Sequence, residues 1–293
     1  MALKYKLIVN PTAGRGRPRA ALSKTIELFA KSGVAYDLEF TIGPNEAGKI
    51  ARAAREEFDA VVAIGGDGTV NEVAQGMVFS RTPLAVIPGG SGNDFARALG
   101  IPAGVEDAVK VILNNRTKTI DAGRINNTYF ANSVGIGFDA TVTRESRSIK
   151  RLKGIPLYLT ALMKALGKYA PLPMKISINN AVIEQKVFLL AIGNGTTCGG
   201  GFRLTPDALL DDGLFDVTVV DPLGTLMLFR HLPMVFNGTI GKSRYAAMMR
   251  TRKLTIESEH PLPVHLDGEV YTAQTNHIEI EALPRALTVI GNF

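Results

Sequence analysis

Short apolar, β-branched runs alternate with stretches of helical period over the first 120 residues. Tyr5–Val9 is strand-like, and Pro18–Lys31 repeats at helical spacing and stops near Gly33. Tyr36–Thr41 alternates, Asn45–Glu57 is helical, and Ala60–Ile64 is a continuous apolar run of the kind that fills a buried strand. Thr69–Met77, with Val70, Val73, Ala74 and Met77 on one face, reads as a helix. Leu84–Ile87 reads as a strand, and Asp94–Leu99 and Val105–Leu113 as helices. Strands that alternate with helices and are apolar on both sides predict a parallel sheet covered on both faces.

After about Arg124 the texture changes. Strand-like runs dominate at Thr128–Val134, Met174–Ile178, Val187–Ile192, Phe215–Val220, Leu254–Glu257, His277–Glu281 and Leu287–Ile290. Apolar helical stretches interrupt them around Leu157–Tyr169 and Leu223–Phe236. The expected organisation is α/β plus all-β: a parallel α/β domain over 1–124, and a mainly antiparallel domain with inserted helices over 125–293.

Composition narrows the function classes. The chain of 293 residues is 46% apolar and 20% charged, enough to build a substantial core. Its single cysteine, Cys198, excludes an intrachain disulfide and suits a reducing compartment. The start of the chain has no signal-peptide pattern, and no apolar run is long enough to span a bilayer, so the expected location is cytoplasmic. A net charge of +6 suits a phosphate-bearing ligand or an anionic membrane surface. Nucleic acid is not expected, because the chain carries no RNA-binding sheet signature and no zinc-finger spacing.

The candidate chemistry lies in the turns that follow the predicted parallel strands. Gly65-Gly66-Asp67-Gly68-Thr69 joins a buried strand to a helix start, an arrangement that aims backbone N–H groups and the helix dipole at an anion. Glycine at 65, 66 and 68 allows positive φ and close approach of phosphate oxygens. Thr69 is a candidate cap for the helix. Asp67 makes sense beside a phosphate if a cation such as Mg²⁺ lies between them. Asn71 and Glu72 follow on the first helical turn.

Two more turns strengthen the reading. Asn10-Pro11-Thr12-Ala13-Gly14 follows the first strand, with Arg15, Arg17 and Arg19 beside it, and Pro88-Gly89-Gly90-Ser91-Gly92-Asn93-Asp94-Phe95 follows the fourth. In parallel α/β sheets, ligands bind where such turns gather. Neither G-x-G-x-x-G opening the first helix nor G-x-x-x-x-G-K-[ST] is present.

The second domain supplies carboxylates. Asp267 and Glu269 flank Gly268, and either is a candidate general base for a hydroxyl nucleophile; a plain Asp-Gly hairpin is the alternative. Asp211-Asp212-Gly213 is a candidate cation turn or another simple turn. Cys198, in Cys-Gly-Gly-Gly-Phe, reads as a small filler, and the four histidines show no metal-ligand spacing.

Taken in order, Asn10-Pro11-x-x-Gly14, Gly65-Gly66-Asp67-Gly68-Thr69, Asn71-Glu72, the Pro88–Phe95 segment and Asp267-Gly268-Glu269 resemble the soluble bacterial lipid kinases of the diacylglycerol kinase catalytic-domain family, which also includes sphingosine kinases. The resemblance spans nearly the whole chain. It implies a phosphofructokinase-like α/β domain, a C-terminal β-sandwich, and ATP in the cleft between them. It implies nucleotide contacts from Asn10, Pro11, Thr12, Ala13 and Gly14, from Thr41, from Gly66, Asp67, Gly68, Thr69, Val70, Asn71 and Glu72, and from Ser91. Gly65, Gly90 and Asn93 belong to the same set of loops. Ser91 stands where the family usually has threonine, which keeps a hydroxyl. The resemblance places the proton acceptor at Glu269, with Asp267 its rival, and a structural Mg²⁺ on Asp212 and the carbonyls of Leu209 and Leu214.

The activity so implied is phosphorylation of a lipid hydroxyl with ATP and Mg²⁺. An NAD kinase-like phosphotransferase and a non-catalytic nucleotide- or lipid-binding regulator are the competing readings. The apolar stretches Gly154–Pro173 and Pro222–Phe236 are candidates for a lipid cleft or for simple packing on the sandwich. Arg144, Arg147, Lys150, Arg151 and Lys153 precede the first, and Lys242, Arg244, Arg250, Arg252 and Lys253 follow the second. This charge suits peripheral contact with the anionic inner membrane surface. A homodimer is compatible with the pattern.

Overall fold

The computed structural model describes residues 3–13, 16–149, 151–152, 154–271 and 276–293. Gly14, Arg15, Lys150 and Lys153, singled out above, lie outside the described residues. The chain divides into two compact units, Met1–Ala122 with Pro284–Phe293, and Gly123–Leu283. The last ten residues, expected with the second domain, thus return to the first unit.

In the first unit the strands are β1 (Lys4–Val9), β2 (Ala35–Phe40), β3 (Ala60–Gly65) and β4 (Leu84–Pro88), in the order β2-β1-β3-β4 and all parallel. Helices α1 (Arg17–Lys31), α2 (Glu46–Ala53), α3 (Asp67–Met77), α4 (Asp94–Ala98) and α5 (Val105–Asn114) connect them. Every residue of β3 and β4 is buried, which explains their unbroken apolar sequence: helices cover both faces. Tyr5, Leu7, Val9, Val62, Ile64, Phe29 and Ile112 share one core cluster. β2 is an edge strand, exposed along most of its length, so its alternation does not mark a buried face.

β5 (Thr117–Ile125) leads out of this unit. The second unit holds β6 (Thr128–Phe130), β7 (Ser133–Gly137), α6 (Phe138–Ser146), α7 (Gly154–Leu166), β8 (Leu172–Ile178), β9 (Ala181–Val187), β10 (Leu189–Gly193), β11 (Phe215–Val220), α8 (Thr225–Asn237), β12 (Ala246–Thr251), β13 (Lys253–Glu257), β14 (Val264–Leu266), β15 (Glu269–Tyr271) and the long β16 (His277–Ile290). One antiparallel sheet runs β12-β11-β10-β7-β14-β15, and a second set of antiparallel pairs joins β16, β13, β8 and β9. Ile136, Leu190, Ile192 and Val217 of the first share a core with Ile176, Leu254, Ile256, Ile278 and Ile280 of the second, so the two sheets form a sandwich. The other face of β10 packs on helices: Leu189 and Ala191 cluster with Phe138, Val142, Ala161 and Leu162.

Three local expectations change. His277–Glu281 and Leu287–Ile290 are parts of one strand rather than two. The run Thr128–Val134 breaks at Ala131-Asn132, where the backbone N–H groups turn to a side-chain partner described below. The helix α6 carries Thr141, Val142 and Thr143, whose branched side chains mask its helical signal.

Candidate functional site

In the first unit, the loops after β1, β3 and β4 are tied together by short-range bonds. Asn10 closes the first loop: its Oδ1 accepts the Thr12 N–H at 3.1 Å, the Thr12 hydroxyl at 2.9 Å and the Ala13 N–H at 3.2 Å. Arg17, at the start of α1, donates to the Gly90 carbonyl at 3.2 Å, and Gly89 donates its N–H to the Gly65 carbonyl at 2.7 Å. A Cβ on Gly90 would stand 2.6 Å from Gly66 Cα, so these two glycines let one backbone lie against another.

The glycines serve approach rather than unusual dihedrals. None of Gly65, Gly66 and Gly68 has positive φ, and Gly66 is extended at φ −91°. Gly66 is also the N-cap of α3, and it has no side chain to cap with. The helix begins at Asp67, two residues before the expected start, so Thr69 lies inside its first turn and caps nothing. Its hydroxyl is buried without a hydrogen-bond partner. A buried orphan hydroxyl at a helix start is the feature here that fits a bound oxyanion.

Asp67 is not stranded next to an anion site. Its two oxygens accept the N–H groups of Asn93 and Asp94, each at 2.8 Å, at the start of α4. The carboxylate therefore braces the third loop against the second. Asn93 adopts φ +53° and binds Gly90 twice, accepting its N–H at 2.9 Å and donating to its carbonyl at 3.2 Å. Ser91 is exposed at the tip of this loop. Thr41 is buried at the end of β2, its N–H bound to the Val9 carbonyl. Glu72 points elsewhere than expected: its carboxylate takes the N–H groups of Asn45 and Ala47 and caps α2. Asn71 accepts from the Gln75 side chain at 2.6 Å.

In the second unit, Asp267 and Gly268 form the two-residue turn between β14 and β15, with φ +48° and +81°, so the hairpin reading holds. The turn is more than a connection. Asp267 is buried, and its carboxylate accepts the N–H groups of Ala131 at 2.8 Å, Asn132 at 2.8 Å and Ser133 at 2.7 Å. That is the partner that breaks the expected strand. Glu269 is half-exposed and pairs with Arg147, the residue that ends α6.

Asp139 and His265, neither anticipated from the sequence, lie beside this turn. His265 Nε2 is 2.7 Å from Asp139 Oδ2, and His265 Nδ1 accepts the Gly268 N–H at 3.4 Å. The pair spans 126 positions, and no local pattern marks it.

The expected cation turn is an acidic corner. Asp212 accepts the Leu214 N–H at 3.0 Å and pairs with Arg250, whose Nε lies 3.5 Å from Asp216. Asp216 is buried, one of its oxygens has no hydrogen bond, and burial, with Asp207 adding repulsion, pushes it up to about 6. Leu209, Asp212 and Leu214 can offer oxygens only, which suits a hard cation. Among the described residues, no three His, Cys, Asp or Glu side chains converge on a metal position. Any ion here would depend on backbone carbonyls.

The second unit also contains a partly open apolar recess with a cavity volume of about 90 Å³. Leu162 of α7, Phe188 and Leu189 near β10, and Leu228, Leu232 and Val235 of α8 line much of it, and Asp139 stands at its wall. Helix α8 has no fully buried residue, and Leu226 is 82% exposed. Among the described residues, no helix is long and apolar enough to cross a membrane.

Comparison with known proteins follows the same division. The family model of the diacylglycerol kinase catalytic domain matches residues 4–125, and that of the YegS C-terminal NAD kinase beta sandwich-like domain matches residues 132–291. A diacylglycerol kinase of Bacillus subtilis is 31% identical over 273 residues, covering 91% of this chain and 89% of that protein. A probable lipid kinase YegS-like of Xanthomonas euvesicatoria is 32% identical over 296 residues, covering 97% and 94%. A solved structure titled as a putative diacylglycerol kinase from Bacillus anthracis aligns with a TM-score of 0.82 at 29% identity, over 99% of this chain and 97% of that one.

Proposed function

Because this chain belongs to the diacylglycerol kinase catalytic-domain family, we propose that it transfers the γ-phosphoryl group of ATP to the free hydroxyl of a membrane lipid. Diacylglycerol is the first candidate acceptor, after the names of the relatives. The observation that carries the reading is the set of three loops tied around the start of α3, two of them lined by glycine, with the orphan Thr69 hydroxyl among them.

In this reading the loops Asn10–Gly14, Gly65–Glu72 and Gly90–Asn93 hold the triphosphate through backbone N–H groups. Phosphoryl transfer has a loose transition state, so holding and neutralising charge accounts for most of the catalysis. Mg²⁺ would supply neutralisation when bound with the nucleotide, and the Asp67 carboxylate, a hard oxygen donor, is the residue in these loops that would hold it. A structural Mg²⁺ at the Asp212 corner would relieve the crowding of Asp207 and Asp216, with Arg250 giving up Asp212. Glu269 accepts the proton of the lipid hydroxyl once its half-exposed pair with Arg147 opens, which costs little in water. Asp267 is the less suitable base, since three backbone N–H groups already occupy its oxygens.

The apolar lining of the recess suits contact with the lipid's hydrocarbon. The uncovered apolar positions Leu226 and Phe229 of α8, with basic residues nearby, suit peripheral docking on an anionic bilayer. Incubation with Mg-ATP and a fractionated lipid extract, followed by mass spectrometry, tests the activity. One lipid class should gain a phosphate, and Glu269→Gln should slow this roughly 10²–10⁴-fold while ATP still binds. Absence of any phosphorylated lipid with the wild-type protein would sink the reading.

A further inference from the structure

The sandwich contains a hydrogen-bonded Asp–His pair, His265 buried and Asp139 partly buried, to which the phosphotransfer just described assigns no role. His265 sits on β14 opposite Gly135 of β7, and Asp139 lies in the first turn of α6, which follows β7 directly. His265 is 1% exposed. A Cβ on Gly135 would lie 2.2 Å from His265 Nε2 and 2.3 Å from Asp139 Oδ2. The 2.7 Å hydrogen bond between the two side chains thus occupies the volume that any other residue at 135 would fill. The glycine makes room for this contact.

The contact also fixes the imidazole. Asp139 presents a carboxylate oxygen, so the ring proton sits on Nε2 and is donated to it. Nδ1 is then an acceptor, which matches the N–H that Gly268 directs at it from 3.4 Å. A chain of hydrogen bonds runs from Asp139 through His265 to Gly268, and Glu269 is the next residue. At its other end Asp139 lines the apolar recess.

Resting on the lipid-kinase reading, we propose that Asp139 and His265 are positioning residues of the reaction. They hold the turn that carries Glu269 at the angle needed for proton acceptance, and they tie that turn to the wall of the recess where the lipid chain lies. Neither residue touches the transferred phosphoryl group. Losing such support displaces a reacting group without removing it, which costs about 10- to 100-fold in comparable supporting shells.

Two measurements on the full-length protein test this. In ¹⁵N-histidine NMR at neutral pH, His265 should show the Nε2–H tautomer, and Asp139→Asn should convert it to a mixture. An Nδ1–H or doubly protonated ring in the wild type overturns the proposal, whatever the enzyme's activity. In kinetics, Asp139→Asn should lower kcat for lipid by roughly 10- to 100-fold with KM for ATP essentially unchanged. The same change made in a Glu269→Gln background should add almost nothing, because the lost support acts through Glu269. Multiplied losses in the double variant, or full activity of Asp139→Asn, overturn the proposal. Gly135→Ala should reproduce the kinetic loss by volume alone; Asp139→Asn keeps shape and serves if Gly135→Ala fails to fold. A wild-type protein that phosphorylates no lipid defeats the function reading and leaves the tautomer result to decide the pair.

Discussion

Asp267 and Glu269 flank one glycine, and substitution of Asp267 separates a brace from a base. The Asp267 carboxylate satisfies three buried backbone N–H groups, those of Ala131, Asn132 and Ser133. Asp267→Ala strands all three at about 1–3 kcal/mol each, a sum of roughly 3–9 kcal/mol against a domain stability of about 5–15 kcal/mol. That variant should be largely unfolded in the second unit. Asp267→Asn is gentler. Asparagine tolerates the left-handed backbone at φ +48°, so no strain is added. Its carboxamide oxygen can keep Asn132 and Ser133, which both bind Oδ1, while its amino group faces the Ala131 N–H donor to donor. The expected loss is about 2–4 kcal/mol, or roughly 5–15 °C in Tm for a unit of this size. Thermal unfolding followed by circular dichroism, with turnover measured well below the lowered Tm, reads both effects. An Asp267→Asn protein that melts like the wild type and is inactive would refute the brace and restore Asp267 as the base.

Gly90→Ala should weaken ATP binding without altering the Asp267 turn, because its Cβ would stand 2.6 Å from Gly66 Cα and push two phosphate loops apart; calorimetric titration with ATP that matches the wild type would count against convergent loops. Leu204→Trp should fill part of the recess and depress turnover of long-chain more than short-chain acceptors, at about 1–3 kcal/mol of stability for overpacking; equal losses for both chain lengths would remove the recess from the reaction. Asp216 has a folded value near 6, above its ordinary 3.8, because of burial first and Asp207 second. Its stabilising contribution is therefore complete below about pH 4 and fades as pH rises through 6. With chelator present, Asp216→Asn should match the wild type at pH 4 and exceed it at pH 7 by about 2–3 kcal/mol; a pH-independent difference in melts would contradict this. Vesicle binding should rise with anionic lipid and fall with salt, since exposed charges are screened over about 10 Å at 0.1 M; equal binding to neutral vesicles would exclude electrostatic docking.

Much of this protein can be read from local pattern. A parallel strand covered on both faces must be apolar at every position, so Ala60–Gly65 and Leu84–Pro88 announce themselves as unbroken runs. Glycines that must admit a second backbone cannot carry side chains, so the phosphate loops are legible as composition: Gly66 and Gly90 are where steric need leaves a visible mark. The change from alternating helix and strand to successive strands near Arg124 carries the two-part architecture in the same way.

What local pattern could not supply depends on partners far apart in the chain. Thr128–Val134 looks like one strand because its side chains suit a strand; it breaks because Asp267, 134 residues beyond Ser133, claims its N–H groups. Asp67 looks like a misplaced charge until Asn93 and Asp94 bring their amides to it, and Glu72 looks like a ligand until the start of α2 takes its carboxylate. Asp139 and His265 carry no mark at all, being one acid in the first turn of a helix and one histidine among four. Their meaning comes from the pleat that sets His265 opposite Gly135 and from the missing Cβ between them. Hydrophobic periodicity is written residue by residue, because burial acts on each side chain where it stands. Hydrogen-bond pairing of buried polar groups is not, because a carboxylate has the same chemistry wherever it falls, and folding alone selects the donors that reach it.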